Sequence, residues 1–352
     1  MSFKLLYISS YHATLEYNHL TLFNEMGIDY FSTGIFKDPK NPLRAFYWQK
    51  DYIEKEVDKD LLEQFNKLNP GHKLYSKINL TKEFVDNFDV VLCSFSFPVQ
   101  GILDDIWEVC KHKPFVYLTY AQQTAHFEEK LSRYRSQGLK LIRGSEREST
   151  LPNYAGHDAI IYCHIDEDVY SNWRGGENRV LTFANDFPDR IHHPNFKSYR
   201  AFEGIREYIP SDFYGVKSEQ GGGKGFLNFE DKIEAYKSYD VYLALSSPPS
   251  TITYNFLEAW MTGCPVVTFG SGIGNGQGYN TWQAEEFIDN GINGFYSDDL
   301  NEVIQACLDL LEDEDLRLQF SEEGRAKCIE LFGKERVKSQ WNKFFKEIGF
   351  EV

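Results

Sequence analysis

Short apolar runs alternate along this chain with stretches whose apolar positions recur every three or four residues. A parallel strand buried on both faces produces the first pattern, and an amphipathic helix produces the second. Residues 4–9 open as a strand. Residues 14–26 follow as a helix, with Leu15, Leu20, Leu22, Phe23 and Met26 apolar and Gly27 as its stop. A strand at 28–32 comes next. The order returns with strand 89–95, helix 102–111 and strand 115–120, then apolar runs at 139–143 and 159–163. A polar stretch at 171–178, with Gly175 and Gly176 adjacent, marks a boundary. Beyond it, strands 180–184, 212–215, 240–245 and 265–269 interleave with helices 196–205, 229–238 and 254–262. Helices 300–311, 314–331 and 335–345 close the chain. The pattern predicts an α/β protein with two doubly wound, Rossmann-like parallel sheets. One domain spans 1–175 and the other 176–333, with a terminal helix in 334–352 packing back toward the first. Two such sheets place a cleft between them, and ligands bind at the carboxyl ends of the strands.

Composition agrees with this layout and narrows the partners. The 352 residues suit two domains, and 42% hydrophobic with 26% charged residues is a globular mix. Thirty-seven basic against 53 acidic residues leave a net charge of −16, which argues against indiscriminate polyanion binding. No uncharged apolar run approaches the ~18 residues a membrane helix needs. The start lacks the basic, apolar and small-residue segments of a secretory leader. The six cysteines are scattered without a C-x-x-C pair. Reduced thiols and a cytoplasmic location are expected, in the host cytoplasm if the source is viral.

The richest chemistry lies between 246 and 267. A strand ends, the Ser/Thr-rich turn 246–253 opens a helix, and Gly263-Cys-Pro265 closes it before another strand. The free amides and positive dipole end of that helix suit an anion, and the hydroxyls of Ser250, Thr251 and Thr253 add donors. Tyr254 stands at the first turn. Glu258, one turn further, can accept hydrogen bonds from a ribose diol. On local physics alone a second reading stands beside this one: Ser250 and Thr251 merely cap the helix, and Glu258 is a surface charge.

The runs Tyr236-Lys-Ser-Tyr-Asp-Val-Tyr-Leu-Ala-Leu-Ser246, Leu257-Glu-Ala-Trp-Met-Thr-Gly-Cys-Pro-Val-Val267 and Glu286-Phe-Ile-Asp-Asn-Gly-Ile-Asn-Gly-Phe295 occur in this order. With the terminal helices they make residues 236–345 resemble the donor half of a GT-B glycosyltransferase, most like family 4. The amino-terminal half is similar to the acceptor half only in its β-α-β layout. The resemblance implies transfer of a sugar, with retention, from a nucleotide sugar to a hydroxyl acceptor. It implies a UDP-, GDP- or ADP-type co-substrate, no tightly bound cofactor and no obligatory metal. Glu258 would bond the ribose, and the helix start from Ser250 to Tyr254 would face the diphosphate. The family carries two glutamates with seven residues between them; the first position here is Ser250. Ser9-Ser-Tyr-His-Ala13 stands where paired glycines are usual.

A departing diphosphate needs cations, because negative charge builds on the leaving oxygen. The family places an Arg and a Lys after the first donor-half strand, and Arg190 and Lys197 match; a solvated helix face is the other reading. Lys224 is a weaker substitute. The loop 270–280 holds five glycines, of which Gly272 and Gly274 would bring amides near sugar or phosphate. A catalytic base or acceptor-orienting group is expected from the first half: His12 after the first strand, or Gln122, Gln123 and His126 past 115–120. Asp166 and Asp168 flank a single residue, but one acidic tripeptide lacks the further oxygen ligands a divalent cation needs. Residues 130–147 carry Lys130, Arg133, Arg135, Lys140, Arg143 and Arg147 against the single acid Glu146. Arg133, Arg135 and Arg143 would meet acceptor phosphates, or belong to a solvated helix and loop. Trp48 would hold a glycan by stacking. The acceptor is a glycan or other hydroxyl compound, or alternatively a hydroxymethylated base in phage DNA. A non-catalytic nucleotide-sugar-binding module and an epimerase on the same fold are the other readings.

Overall fold

The structure, a computed structural model, describes residues 3–8, 13–33, 58–68, 79–94, 97–120, 125–276 and 278–351. Two compact units divide the chain. Unit 1 comprises Met1–Glu146, Pro152–His164 and Val337–Val352; unit 2 comprises Arg147–Leu151 and Ile165–Arg336.

Among the described residues, unit 1 has a sheet of six parallel strands: β1 (Lys4–Ile8), β2 (Asp29–Ser32), β3 (Val90–Ser94), β4 (Phe115–Leu118), β5 (Lys140–Arg143) and β6 (Ala159–Ile160). Their order, β2-β1-β3-β4-β5-β6, reverses direction beside β1. Helices α1 (Ala13–Glu25), α2 (Lys59–Lys67), α3 (Lys82–Val85), α4 (Phe97–Cys110) and α5 (Ala125–Arg135) connect them. The strands form where the apolar runs were, and β3 and β4 are buried throughout. Side chains start the short helices: Asp58 accepts from the amides of Asp60 and Leu61 at α2, and Thr81 from that of Phe84 at α3.

Unit 2 has its own parallel sheet, in the order β11-β10-β9-β7-β8. Its strands are β7 (Val180–Phe183), β8 (Ser211–Tyr214), β9 (Val241–Ala244), β10 (Val266–Phe269) and β11 (Phe295–Ser297). Its helices are α6 (Phe187–Arg190), α7 (Lys197–Ile205), α8 (Phe229–Ser238), α9 (Tyr254–Thr262), α10 (Ser271–Gly274), α11 (Ala284–Phe287), α12 (Leu300–Glu312) and α13 (Glu314–Phe332). β7, β9 and β10 are wholly buried and anchor a core of Val180, Phe202, Phe213, Leu243, Val267 and Leu310. Gly263 ends α9 at φ 93°, and its amide reaches back to Ala259 and Trp260. Gly324 lets α13 lie directly on α9, since a Cβ there would overlap the Trp260 ring.

The division between units falls before the expected boundary at 175. Residues 165–178 belong to unit 2 because their polar groups are tied into it. Trp173 Nε1 donates to the Tyr239 carbonyl at 2.8 Å, and Asp240 accepts from the amides of Gly176 and Asn178. Arg325 of α13 donates to the carbonyls of Tyr170 and Glu167 at 2.5 and 2.9 Å, and also to that of Met261. These bonds satisfy backbone groups that a free linker would leave to water.

The last helix, α14 (Lys334–Glu347), belongs to unit 1 from Val337 onward. Trp341 meets Phe23 at 5.0 Å between ring centroids, and Phe345 meets Phe3 at 4.9 Å. All six cysteines are buried and free. Among the described residues, no helix is long and apolar enough to cross a membrane.

Candidate donor site in unit 2

The chains leaving β7, β9 and β10 at their carboxyl ends gather the residues that the sequence put forward. After β9 the chain turns through 245–253 and enters α9. Thr253 is the residue before the helix, yet its hydroxyl makes no bond to the helix amides. Among the described residues its Oγ1 is buried without a partner, and so is Oγ1 of the fully buried Thr251. The contrast lies within the same unit. Asn228 caps α8, Asp299 caps α12 and Asp313 caps α13, each through a side-chain oxygen. Two buried hydroxyls left unpaired cost free energy unless something else meets them. Ser250 and Tyr254 lie half-buried on the same turn, where the Ser250 amide donates to the Ser247 carbonyl at 3.1 Å.

One cation is tied to this turn and a second to the glycine-rich loop. Arg190, at the end of α6, donates to the Ser247 hydroxyl at 3.3 Å and to the Tyr199 hydroxyl at 2.8 Å. Its guanidinium lies over the rings of Phe196 and Tyr199 at 4.6 and 5.4 Å. Lys197, opening α7, donates to the Gly272 carbonyl at 3.1 Å. Neither cation pairs with a carboxylate among the described residues. Lys224 is used differently, closing on Asp212 at 2.6 Å beside Arg179 and Tyr239.

The glycine-rich loop does not present free amides at the expected positions. Asp298 accepts from the amides of Gly272 and Ile273 at 2.9 and 2.8 Å, and Glu285 accepts from that of Ser271 at 3.1 Å. The Gly274 amide turns back to the Gly270 carbonyl at 2.6 Å. A Cβ on Gly272 would meet Asp298, and one on Gly274 would overlap Trp282. These glycines serve close packing against a carboxylate and an indole, and two carboxylates already hold the amides an anion would use.

Glu258 is neither a surface charge nor open to solvent. It is completely buried in α9. Tyr170 donates to Oε1 at 2.9 Å; Tyr236 and Lys232 donate to Oε2 at 3.0 and 2.5 Å. Burial beside this carboxylate pushes the Tyr236 phenol far above its ordinary range. Lys232 lies 5.4 Å from the ring of Phe183, the last residue of β7, which fixes the group at the carboxyl edge. Tyr170, Lys232 and Tyr236 were not among the sequence candidates. A usable signal existed, since Lys232 and Tyr236 are four apart on one helix and a buried carboxylate requires a cation.

In unit 1, His12, Gln122, Gln123 and Trp48 lie outside the described residues. His126 is exposed in the first turn of α5. The basic stripe is largely consumed within the fold. Arg143 is fully buried and grips Glu128 through both terminal nitrogens at 2.7 and 2.8 Å, so it presents no charge to an acceptor. Arg135 ties down the carbonyls of Ala155 and His157 at 2.6 and 2.7 Å. Arg133 and Lys130 both meet Asp104, and Lys140 meets Asp158. Within unit 2, Arg147 pairs with Glu285 and Glu286. Asp166 accepts from the amides of Asp168 and Val169, a turn-forming role. A buried group at the carboxyl ends of β1 and β4 was also missed. Tyr7 Oη lies 2.9 Å from Tyr120 Oη and 3.2 Å from His19 Nδ1, and Tyr120 also bonds His19. Burial, with His164 nearby, lowers the His19 pKa to about 3 and keeps the ring neutral.

The sequence matches no protein-family model and no curated protein. Solved structures match over nearly the whole chain. HepE from Anabaena, in complex with UDP and glucose, is 13% identical with a TM-score of 0.59, covering 98% of this chain and 100% of its own. A glycosyltransferase from Rickettsia africae is 14% identical at a TM-score of 0.62, over 99% and 98%. Sucrose-phosphate synthase from Thermosynechococcus elongatus is 11% identical at 0.64, over 98% of each chain. At such identities the likeness establishes the fold: two Rossmann-like α/β units of the GT-B type.

Proposed function

We propose that this chain is a glycosyltransferase that takes a sugar from a nucleoside-diphosphate sugar held by unit 2 and passes it to a hydroxyl acceptor. One observation carries the reading. On the turn that leads into α9, two aromatic rings and the Ser247 hydroxyl fix Arg190, which has no carboxylate partner among the described residues, and further along the same turn the hydroxyls of Thr251 and Thr253 have no partner among them either. A fixed cation, a helix N-terminus and idle hydroxyl donors together suit a diphosphate. In transfer, the bond from the anomeric carbon to the diphosphate oxygen breaks, and a bond to the acceptor oxygen forms. The acceptor proton leaves to a base or solvent, and the leaving oxygen gains the negative charge that Arg190 and Lys197 stabilise. HepE, of the same fold, was solved with UDP and glucose, which supports a UDP-type donor.

The resemblance of 236–345 to family 4 supports retention at the anomeric carbon. Ser250 then offers a neutral hydroxyl where that family has its first glutamate. A glycan or other hydroxyl compound is the proposed acceptor, because the cations that would have gripped DNA phosphates are engaged by Asp104, Glu128 and Asp158. The test is release of nucleoside diphosphate from UDP-, GDP- and ADP-glucose, with oligosaccharides or hydroxymethylated DNA present. Release that depends on a sugar acceptor supports the reading; no release from any donor overturns it.

A further inference from the structure

A groove of about 540 Å³ runs along α12 in unit 2, and none of its lining residues belongs to the donor site. Its floor is apolar: Phe295 of β11, Ala306 and Leu310 of α12, and Leu316 and Phe320 of α13. Leu310 and Phe320 are buried and the other three are half-buried, so part of this floor faces solvent. The turn beside it is held in place. Asn290 bonds the carbonyl and amide of Tyr296 at 3.0 and 2.7 Å, and Gln319 donates to the carbonyls of Gly291 and Ile292 at 3.0 and 3.4 Å. A preformed, largely apolar pocket of this size with a few placed polar groups is the usual form of a small-molecule site.

The charged groups on its rim are carboxylates. Glu302 and Asp309 are exposed on α12, two turns from one another, which puts them on one face about 10 Å apart along the axis. A neutral donor steadies each through one oxygen. The Ser297 hydroxyl meets Glu302 Oε2 at 2.5 Å, and the Gln305 amide meets Asp309 Oδ1 at 2.7 Å. Among the described residues neither carboxylate has a cation partner, and the other oxygen of each accepts no hydrogen bond. Arg317, on the adjoining helix, is spent on the carbonyls of Leu310 and Leu311 and on Asp240. An anion would be repelled by both carboxylates, and a neutral hydrocarbon would leave both unanswered. A single ammonium would answer only one. We propose that this groove binds a linear organic diamine. Its two ammonium groups meet Glu302 and Asp309, and its methylene chain lies on the apolar floor between them.

The experiment measures calorimetric affinities of α,ω-diamines from propanediamine to dodecanediamine, and of octylamine, for the wild type, Glu302→Gln and Asp309→Asn. Both side chains are exposed, so each variant is expected to keep the fold. The expected result is an affinity that peaks near octanediamine, whose nitrogens can span the two carboxylates. Octanediamine then exceeds octylamine by about fivefold, in keeping with one further surface ion pair. Either substitution brings octanediamine down to the level of octylamine. Affinity without a length optimum, and unchanged in both variants, is general attraction to a chain of net charge −16 and overturns the proposal. Absence of saturable binding by any diamine overturns it too. A helical peptide with two lysines two turns apart is the last ligand. Peptide binding tighter than that of any diamine, and lost in the same variants, gives the groove to a protein partner and overturns the diamine assignment.

Discussion

Arg190 and Arg143 are both arginines near the ends of short elements, and the chain uses them in opposite ways. Arg143 is spent inside unit 1, locked to Glu128 in a fully buried pair. Removing one partner strands the other charge, so Arg143→Met lowers stability by about 3–5 kcal/mol, while the double change with Glu128→Met recovers part of the loss. Urea denaturation of the three proteins checks this. Arg190 keeps its charge available. Arg190→Ala is expected to weaken nucleoside diphosphate binding by about 1.5–3 kcal/mol while leaving nucleoside binding nearly unchanged. Equal losses for both ligands would mean it acts through the fold. Thr251→Val tests the idle hydroxyl: apo stability holds or rises, because an unsatisfied buried group disappears, and diphosphate affinity falls. Arg190 and the threonines could be picked from sequence because strand ends and helix starts mark the carboxyl edge. The burial of Arg143 could not, since its partner sits 15 residues away on α5. Glu258 was singled out in the sequence as a ribose contact, but its burial was not legible, because its donors Tyr170 and Lys232 come from positions 88 and 26 residues away.

At the scale of elements, legibility followed burial. β3, β7, β9 and β10 are wholly buried and stood out as apolar runs. β11 is only half-buried, and α2 buries just Leu61 and Phe65, so neither leaves a strong pattern. The glycine-rich loop misled for a related reason: composition announces close approach but not what approaches, and here it is Asp298 and Trp282. Helix α1 carries a further consequence. His19 stacks on Tyr120 and Phe23 and is buried neutral, its pKa lowered to about 3 from an ordinary 6.5, first by burial and then by His164. Above pH 6.5 neither folded nor unfolded chain protonates it. Below that, the unfolded chain takes a proton that the folded one refuses, so its share of stability falls as pH drops toward 3. The slope is about 1.4 kcal/mol per pH unit. Urea midpoints at successive pH values below neutrality should show the wild type losing more stability than His19→Gln by that amount; parallel losses would contradict it.

For the whole molecule, the two-sheet plan was legible because the β-α alternation restarts at β7. The contacts divide the chain before 165 rather than at 175, because the polar stretch 171–178 reads as a linker until Asp240 and Tyr239 are seen to bind it. The final helix gives unit 1 a piece distant in sequence. Trp341, Phe344 and Phe345 are almost fully buried, and each such burial contributes roughly 1.5–3 kcal/mol, together comparable with the ~5–15 kcal/mol that holds a domain. A chain ending at Arg336 is expected to lose the cooperative unfolding of unit 1, seen as a missing transition in calorimetry. The net charge of −16 sets a long-range penalty on nucleic acid, and of the basic stripe Arg143 is withdrawn from the surface by its pair with Glu128. The central claim is that unit 2 holds a nucleoside diphosphate at the start of α9. It is tested most directly by melting the wild type and Arg190→Ala against UDP, GDP, ADP, their glucose conjugates and the free nucleosides. Ligand at 100 times Kd stabilises the folded state by about 2.7 kcal/mol, which moves a melting temperature by several degrees. The account predicts such a rise for at least one diphosphate series in the wild type, much reduced in Arg190→Ala and absent with nucleosides alone. Unchanged melting across the whole panel, or an equal rise in both proteins, would contradict it.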